Sequence, residues 1–182
     1  MIPLQFALRR RMMSGGGAFE FTYTGQFTDK IEGSKRVIKL TSSGTLSVSG
    51  SVVADVYLLA GGGGSQRSDG PTGGGGGGGN QTLTKFRIAE GSYPISIGNG
   101  GQGGLTTDDY GAVYCAHPGG NTSGFGYTVT GGGGGCAGAY SARGGAGGSP
   151  NGIAGSTSGG GSPNGGWGGR GGDGYITLTI PI

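Results

Sequence analysis

The side chains best suited to chemistry lie around the single histidine of the chain. His117 follows Cys115 closely, and Asp108 and Asp109 stand a few positions upstream. Imidazole, thiolate and carboxylate groups are the ligands that zinc prefers, and a Cys–His pair is a familiar nucleophilic dyad. The spacing matches no zinc pattern, Cys136 is distant in sequence, and no third orienting group is specified. We therefore expect ordinary loop residues here, with no metal site and no cofactor.

The glycine run after Ala60 invites comparison with a phosphate-binding loop. Gly61 to Gly64 follow a predicted strand, as such loops do. A phosphate loop also needs a helix N terminus and a lysine after the glycines, and neither follows here. The nine carboxylates of the chain form no convincing acid–base pair. The sequence therefore predicts that the protein is not an enzyme.

The two cysteines leave their redox state open. Cys115 and Cys136 could form one disulfide, but spacing alone does not establish a bond. Two free, buried thiols are the alternative.

Four residues in the glycine-rich regions are candidates for binding a receptor. Tyr140 and Trp167 stand in GAYSARGG and NGGWGGRGG, where they have little apolar company. Stiff aromatic side chains on short loops offer broad contact area, and arginines beside them add donors for sugars or phosphates. We therefore name Tyr140, Arg143, Trp167 and Arg170 as receptor-contact candidates. The alternative is that the aromatic rings pack on the ends of the glycine segments.

The charge is concentrated near the start of the sequence. The net charge is +3, and Arg9, Arg10 and Arg11 account for that excess. The remainder is neutral, so no basic face for nucleic acid is expected. No stretch approaches the ~20 apolar residues that span a bilayer. We expect residues 1–17 to be an arm, with Arg9 to Arg11 attaching the module to a larger assembly.

The rest of the sequence alternates between strand-like and glycine-rich stretches. Alternating apolar and polar side chains, as in Leu46/Val48, Leu83/Phe86/Ile88 and Ile176/Leu178/Ile180, are typical of half-buried strands. Residues 52–60 are almost continuously apolar, which predicts a central strand covered on both faces. Further strands are predicted at 19–24, 35–41, 45–49, 82–89, 93–97, 112–115, 126–130 and 175–180. The expected fold class is all-β, with a β-sandwich or jelly-roll-like framework over residues 18–182.

Glycine makes up 52 of the 182 residues and clusters in two insertions between predicted strands. Residues 61–79 contain 12 glycines and residues 119–174 contain 26. A flexible linker and collagen are alternatives, but uninterrupted runs such as GGGGGGG break the collagen register. Ordering glycine costs roughly 0.5–1 kcal/mol more than ordering alanine, so only a dense lattice of backbone hydrogen bonds could order these runs. We expect a bundle of threefold, extended polyglycine II helices.

The order of these elements resembles the glycine-rich domains of phage and prophage tail proteins. The run from Gly44 to Gly64 is similar to their opening, with two strands followed by polyglycine, and the stretch 93–104 is similar to their strand that enters glycine. The stretches 119–135 and 171–180 resemble the return and closing strands. The glycine-rich domain of certain receptor tyrosine kinases has a similar pattern, but with more cysteines and a membrane span.

The resemblance implies a tail-fibre tip adhesin that recognises a glycan or protein on a bacterial surface. It further implies a location on the virion, outside the cell, attachment to other tail proteins through the arm, and a possible homotrimer. The first alternative is a structural virion protein, such as a tail or capsid decoration subunit, in which the glycine bundle is a rigid spacer. An ice-binding protein is a third interpretation, but the sequence is too irregular for a flat face of repeated side chains.

Overall fold

The computed structural model describes residues 19–67, 72–105, 114–137, 142–154, 157–158 and 169–182. The regular structure in these ranges is entirely β, and they contain no helix that could cross a membrane. The all-β prediction is therefore confirmed. The strands are β1 (Glu20–Tyr23), β2 (Phe27–Glu32), β3 (Lys35–Leu40), β4 (Gly44–Ser49), β5 (Val52–Leu59), β6 (Gln66–Arg67), β7 (Thr72–Gly73), β8 (Asn80–Ile88), β9 (Gly91–Ile95), β10 (Gly104–Leu105), β11 (Tyr114–Cys115), β12 (Thr122–Gly124), β13 (Tyr127–Val129), β14 (Cys136–Ala137), β15 (Ala142–Arg143), β16 (Thr157–Ser158) and β17 (Tyr175–Pro181).

The longer strands form two antiparallel sheets and a hairpin. The larger sheet has the order β2-β3-β17-β5-β8, so the closing strand β17 lies between β3 and β5. The smaller sheet has the order β1-β4-β9. β12 and β13 pair with each other, and Ser123 bridges to Ser96, which follows β9. We call these strands together the framework.

Both sheets contribute side chains to one hydrophobic core. Alternate residues of the strands are buried, because successive side chains of a strand point to opposite faces. The predicted inward residues Leu46, Val48, Ile176, Leu178 and Ile180 are all buried in this core. Leu83 and Phe86 pack against it and are partly buried. The sandwich or jelly-roll form of the framework stays a prediction.

The expectation that β5 is covered on both faces is wrong. β5 does lie inside the sheet, but its burial alternates: Ala54, Val56 and Leu58 are buried, whereas Val53 is 49% exposed. Only one face of β5 packs on the core, whereas Val53 on the other face is exposed and Tyr57 and Leu59 are partly buried.

The three-residue spacing between Leu83 and Phe86 reflects a bulge in β8. The pairing of β5 with β8 shifts register between Ala54 and Val56, and Lys85 has a positive φ of 51°. The backbone N–H of Lys85 donates to the Asp55 carboxylate at 2.8 Å. The extra residue returns the side chains of β8 to the core face after the interruption.

Candidate functional site

Seven glycine-rich segments run side by side from the framework. They are segment I (60–65), segment II (74–79), segment III (98–104), segment IV (116–121), segment V (130–135), segment VI (144–149) and segment VII (169–174). Segment III lies outside the two predicted insertions. Segments I, III and V lead away from framework strands, whereas II, IV and VII lead back into β8, β12 and β17.

Segment I shows how the lattice is built. The segment that accepts from its backbone N–H groups is the same at every third residue. Ala60 and Gly63 donate to segment II, Gly61 and Gly64 to segment IV, and Gly62 and Ser65 to segment VII. These six bonds have N···O distances of 2.8–3.0 Å. A period of three residues is the repeat of a polyglycine II helix. The prediction of threefold glycine helices is therefore confirmed for the described segments.

The carbonyl groups of segment I follow the same period. Those of Gly61 and Gly64 accept from segment V, and those of Gly62 and Ser65 accept from segment III. Residue numbers rise together in these two pairs, so segments III and V run parallel to segment I, and the three segments that receive its N–H bonds run antiparallel. Among the described residues, segment I thus has five neighbouring segments.

The segments approach so closely that most positions accept only glycine. A Cβ on Gly63 would overlap the carbonyl oxygen of Gly133, and a Cβ on Gly171 would overlap that of Gly62. At such sites the Cα–H group of glycine points at a carbonyl, which adds weak Cα–H···O interactions to the N–H bonds. Backbone packing therefore replaces side-chain packing inside the bundle.

Side chains appear at every third residue on segments that border solvent. Segment III carries Asn99 and Gln102, and segment VII carries Arg170 and Asp173, all four exposed. The rows that face neighbouring segments remain glycine. The pattern Gly-x-Gly-Gly-x therefore marks a surface helix of the bundle, whereas segments I, II and V contain uninterrupted runs of glycine.

Polar side chains accept hydrogen bonds from some backbone N–H groups of the bundle, in place of a backbone carbonyl. The Thr122 hydroxyl accepts from the Gly98 N–H at 3.0 Å, and the Asn121 side chain accepts from Gly131 at 3.0 Å. Asp173 accepts from the Gly100 N–H at 2.7 Å and also pairs with Arg170 at 2.5 Å. The Arg170 hydrogen bond and the Gly100 N–H together lower the pKa of Asp173 below its ordinary value.

The bundle has one end on the framework and one end formed by short strands. β6 follows segment I and pairs with β10; β7 precedes segment II and pairs with β16; β11, β14 and β15 form a small sheet. We call this end, made of β6, β7, β10, β11, β14, β15 and β16, the tip. The chain segments 68–71, 106–113 and 138–141 each join two strands of the tip.

A disulfide links two chain segments at the tip. Cys115 of β11 lies opposite Cys136 of β14, and their sulfurs are bonded. The alternative of free thiols is therefore wrong, since pairing of β11 with β14 brings the two cysteines together across 21 residues of sequence. Cys115 cannot act as a thiolate nucleophile while this bond exists.

Gln66 shows how tightly the tip is packed against the bundle. Its side chain is 3% exposed, and its Oε1 atom has no hydrogen-bond partner among the described residues. This oxygen lies against the Cα of Gly104, where a Cβ would overlap it. The side-chain carbonyl takes the place that a backbone carbonyl has elsewhere in the lattice.

The predicted contact residues fall in different surroundings. Arg143 is exposed on β15 at the tip. Arg170 is exposed on segment VII, but its guanidinium points to Asp173 along the side of the bundle. Tyr140, Trp167 and the attachment residues Arg9, Arg10 and Arg11 lie outside the described residues. The roles of all these residues stay predictions.

The histidine region has a backbone role in the lattice. The His117 N–H donates to Gln102 and its carbonyl accepts from Gly64, while the side chain is exposed. Asp108 and Asp109 lie outside the described residues. Within the described ranges, no three His, Cys, Asp or Glu side chains come close enough to hold a metal ion.

The comparison with known families identifies the glycine-rich part of the chain. The model of the family described as "Glycine-rich domain" matches residues 41–179, from the start of the opening strands to the closing strand β17. No curated protein and no solved structure matches the chain. Because this match spans most of the sequence, the chain belongs to the glycine-rich domain family.

Proposed function

We propose that the protein is a phage or prophage tail-fibre tip adhesin that binds a receptor on a bacterial surface through the tip of its glycine bundle. The observation that carries this proposal is the convergence of β6, β7, β10, β11, β14, β15 and β16 at the bundle end opposite the framework. The order of strands and glycine runs, which resembles tail proteins, supports it from the sequence.

The tip suits recognition because its connections are held at both ends. Each of the segments 68–71, 106–113 and 138–141 begins and ends in a strand that is paired with another strand of the tip. The disulfide fixes the base of two of these connections. Binding by a chain segment with fixed ends loses less conformational entropy than binding by a free loop.

The chain offers one described contact residue at this end and two candidates in the neighbouring sequence. Arg143 is exposed on β15, where its planar guanidinium can donate to sugar hydroxyls, phosphates or carboxylates. Tyr140 belongs to the connection between β14 and β15, and Trp167 to the stretch that precedes segment VII. Attachment to other tail proteins belongs to residues 1–17. Phe19 directly precedes β1, whose first residue Glu20 pairs with Ser49 at the last position of β4. The opposite end of β4, at Gly44, pairs with Ile95 and is the end nearer the bundle.

Binding of the purified protein to bacterial cells tests the proposal. Fluorescently labelled full-length protein is titrated against a panel of bacterial species, and the species that bind it are kept. In a tip variant, residues 138–141 are replaced by glycine and serine and Arg143→Ala is added. We expect the tip variant to bind roughly 5- to 150-fold more weakly, which corresponds to a loss of about 1–3 kcal/mol for residues of this kind.

A framework variant serves as the control. Arg87→Ala removes one exposed arginine from β8, away from the tip, and should leave cell binding unchanged. Full binding by the tip variant would contradict an adhesive tip. Absence of binding to every species, together with incorporation of the protein into purified tail particles, would favour a structural subunit instead.

A further inference from the structure

One place beside segment I has no occupant among the described residues. Segments II, V, IV, III and VII surround segment I in that order, and each is hydrogen-bonded to the next. Segments VII and II share no backbone hydrogen bond within the described ranges, which leaves a sixth position between them. We call this groove, bounded by segments I, II and VII, the slot.

Backbone groups that have no N–H···O partner among the described residues lie on all three walls of the slot. The carbonyls of segment I form three rows, and the row that does not accept from segment III or V consists of Ala60 and Gly63. The Cα–H groups of segment II lie against these two carbonyls, but no described N–H group donates to them. The N–H groups of Gly75 and Gly78 in segment II have no backbone acceptor in the described ranges. The same is true of the N–H group of Gly172 in segment VII. The slot therefore presents acceptors on its floor and donors on its sides.

Ser65 shows that an oxygen acceptor can satisfy the N–H groups of segment VII that border the slot. Its hydroxyl oxygen accepts from the Gly169 N–H at 2.7 Å, so a side chain closes the slot at the tip end. Gly172 is three residues further along the same row as Gly169, and Gly62 is three residues before Ser65. At those equivalent places no described oxygen is supplied to the Gly172 N–H. Within the described ranges, an acceptor is therefore present for the N–H group of Gly169 but not for that of Gly172.

Internal packing does not require glycine at Gly62 and Gly172, which are hydrogen-bonded to each other beside the slot. A Cβ on Gly172 would have no atom within 4 Å, and one on Gly62 would meet its nearest atom at 3.6 Å. Neither residue has a positive φ. Other solvent-facing positions of the bundle carry side chains, such as Asn99, Gln102 and Arg170. Glycine at 62 and 172 instead keeps the slot wide enough for another backbone.

We propose that the slot binds an extended, glycine-rich segment of a partner chain as the sixth neighbour of segment I. Carbonyls of segment I accept only from parallel neighbours, so the bound segment runs parallel to segment I, from the framework toward the tip. Its glycines face segments I, II and VII, and every third residue can carry a side chain toward solvent. The interaction is the threefold-helix counterpart of adding a strand to a sheet edge.

The dimensions of the slot define the length of the partner segment. Ala60 to Ser65 bound it, and a threefold helix rises about 3.1 Å per residue, so two turns of about six residues fill it. A polypeptide offers an N–H donor and a carbonyl acceptor at every residue, in the same three-residue repeat that the five existing neighbours use. A glycan also offers donors and acceptors, but without that repeat.

A synthetic peptide tests this inference without reference to the tip. The probe is a capped peptide of four Gly-Gly-Asn repeats, titrated into the nitrogen-15-labelled full-length protein. We expect the amide resonances of Gly75, Gly78 and Gly172 to shift, while those of Gly101 and Gly119, which are already bonded, stay in place. Gly62→Ser and Gly172→Ser each place a side chain in the slot and should weaken the peptide about tenfold or more.

Gly77→Ser is the matched control. A Cβ at Gly77 also meets only ordinary neighbours, at 3.5 Å from the backbone of Ile153, but on another side of segment II. It should leave peptide binding unchanged. The inference is overturned if the peptide moves no slot amide at about 10 mM, a concentration that detects millimolar binding. It is also overturned if both slot variants bind normally, or if cellohexaose shifts these amides and the peptide does not.

Discussion

Neighbouring glycines of segment VII meet very different surroundings. A Cβ on Gly171 would overlap the carbonyl oxygen of Gly62 and lie 2.5 Å from its carbonyl carbon, whereas a Cβ on Gly172 would reach no atom within 4 Å. The two atoms of Gly62 are backbone atoms of the lattice and cannot rotate away as a side chain could. The same amino acid is therefore essential for folding at one position and dispensable for folding at the next.

This contrast predicts opposite effects of one substitution. Gly171→Ala should destabilise the protein by about 3 kcal/mol or more, because the methyl group forces two segments apart. Gly172→Ala should change stability by less than about 1 kcal/mol, and in the stabilising direction if it restricts the unfolded chain. Urea unfolding followed by tyrosine fluorescence measures both. Equal stability of the two variants would contradict the close packing of segment VII.

The carboxylate of Asp173 links the lattice to pH. Hydrogen bonds from Arg170 and from the Gly100 N–H lower its pKa in the folded protein below the ordinary value of an aspartate. Asp173 therefore contributes stability at pH values above that ordinary pKa, and the contribution is lost as the pH falls through the lowered pKa of the folded state. We expect Asp173→Asn to be less stable than the wild type at pH 7.

The difference between Asp173→Asn and the wild type should shrink as the pH falls below the ordinary range of aspartate. Paired urea unfolding of the two proteins at neutral and strongly acidic pH measures this difference. Its cause is one exposed carboxylate, so its size is small and the direction is the test. A difference that stays constant across the whole pH range would show that the charge of Asp173 has no part in holding Gly100.

At the scale of elements, the sequence pattern predicts the framework better than the bundle's internal order. Strands β4 and β17 alternate apolar and polar residues, and this alternation is read directly from the sequence. β2 is absent from the predicted strands because three of the six residues of FTDKIE are charged. Its Asp29 is paired with the buried Arg36, at 2.8 Å, so a core-facing charge hides the strand pattern.

The neighbours of each glycine segment cannot be predicted, because one glycine looks like another. The three-residue period of Asn99/Gln102 and of Arg170/Asp173 is the available signal for surface helices. The short strands of the tip have two residues each and carry no period at all. In the candidate site, the predicted contact residue Arg143 does lie at the tip. The disulfide between Cys115 and Cys136 could not be predicted from their spacing, because it depends on the pairing of β11 with β14.

The disulfide should stabilise the tip by restricting the unfolded chain. Cys115 and Cys136 are 21 residues apart, and a loop of this size corresponds to about 3 kcal/mol in the chain-entropy description. Reduction, or the double substitution of both cysteines by serine, should lower the unfolding free energy by about that amount. Thermal unfolding with and without reductant measures the effect. An unchanged melting temperature would show that β11 and β14 are held together by the lattice alone.

At the scale of the whole molecule, a small hydrophobic core supports a larger lattice of backbone. The core is built from side chains of β1, β3, β4, β5, β8, β9, β13 and β17. The bundle has almost no apolar side chains, and its segments are held by N–H···O bonds of 2.7–3.2 Å and by the close approach of glycine Cα–H groups to carbonyl oxygens. Each segment depends on its neighbours, so the bundle should order as one unit together with the framework.

Hydrogen exchange of backbone amides tests this central claim most directly. In segment I all N–H groups are bonded to neighbouring segments, so the amides of 61–65 should exchange at least about 100-fold more slowly than in an unstructured chain. The amides of Gly75, Gly78 and Gly172, which have no backbone acceptor among the described residues, should exchange rapidly in the same experiment. Rapid exchange throughout 61–65 and 131–135 would contradict the lattice and make these glycine runs flexible linkers.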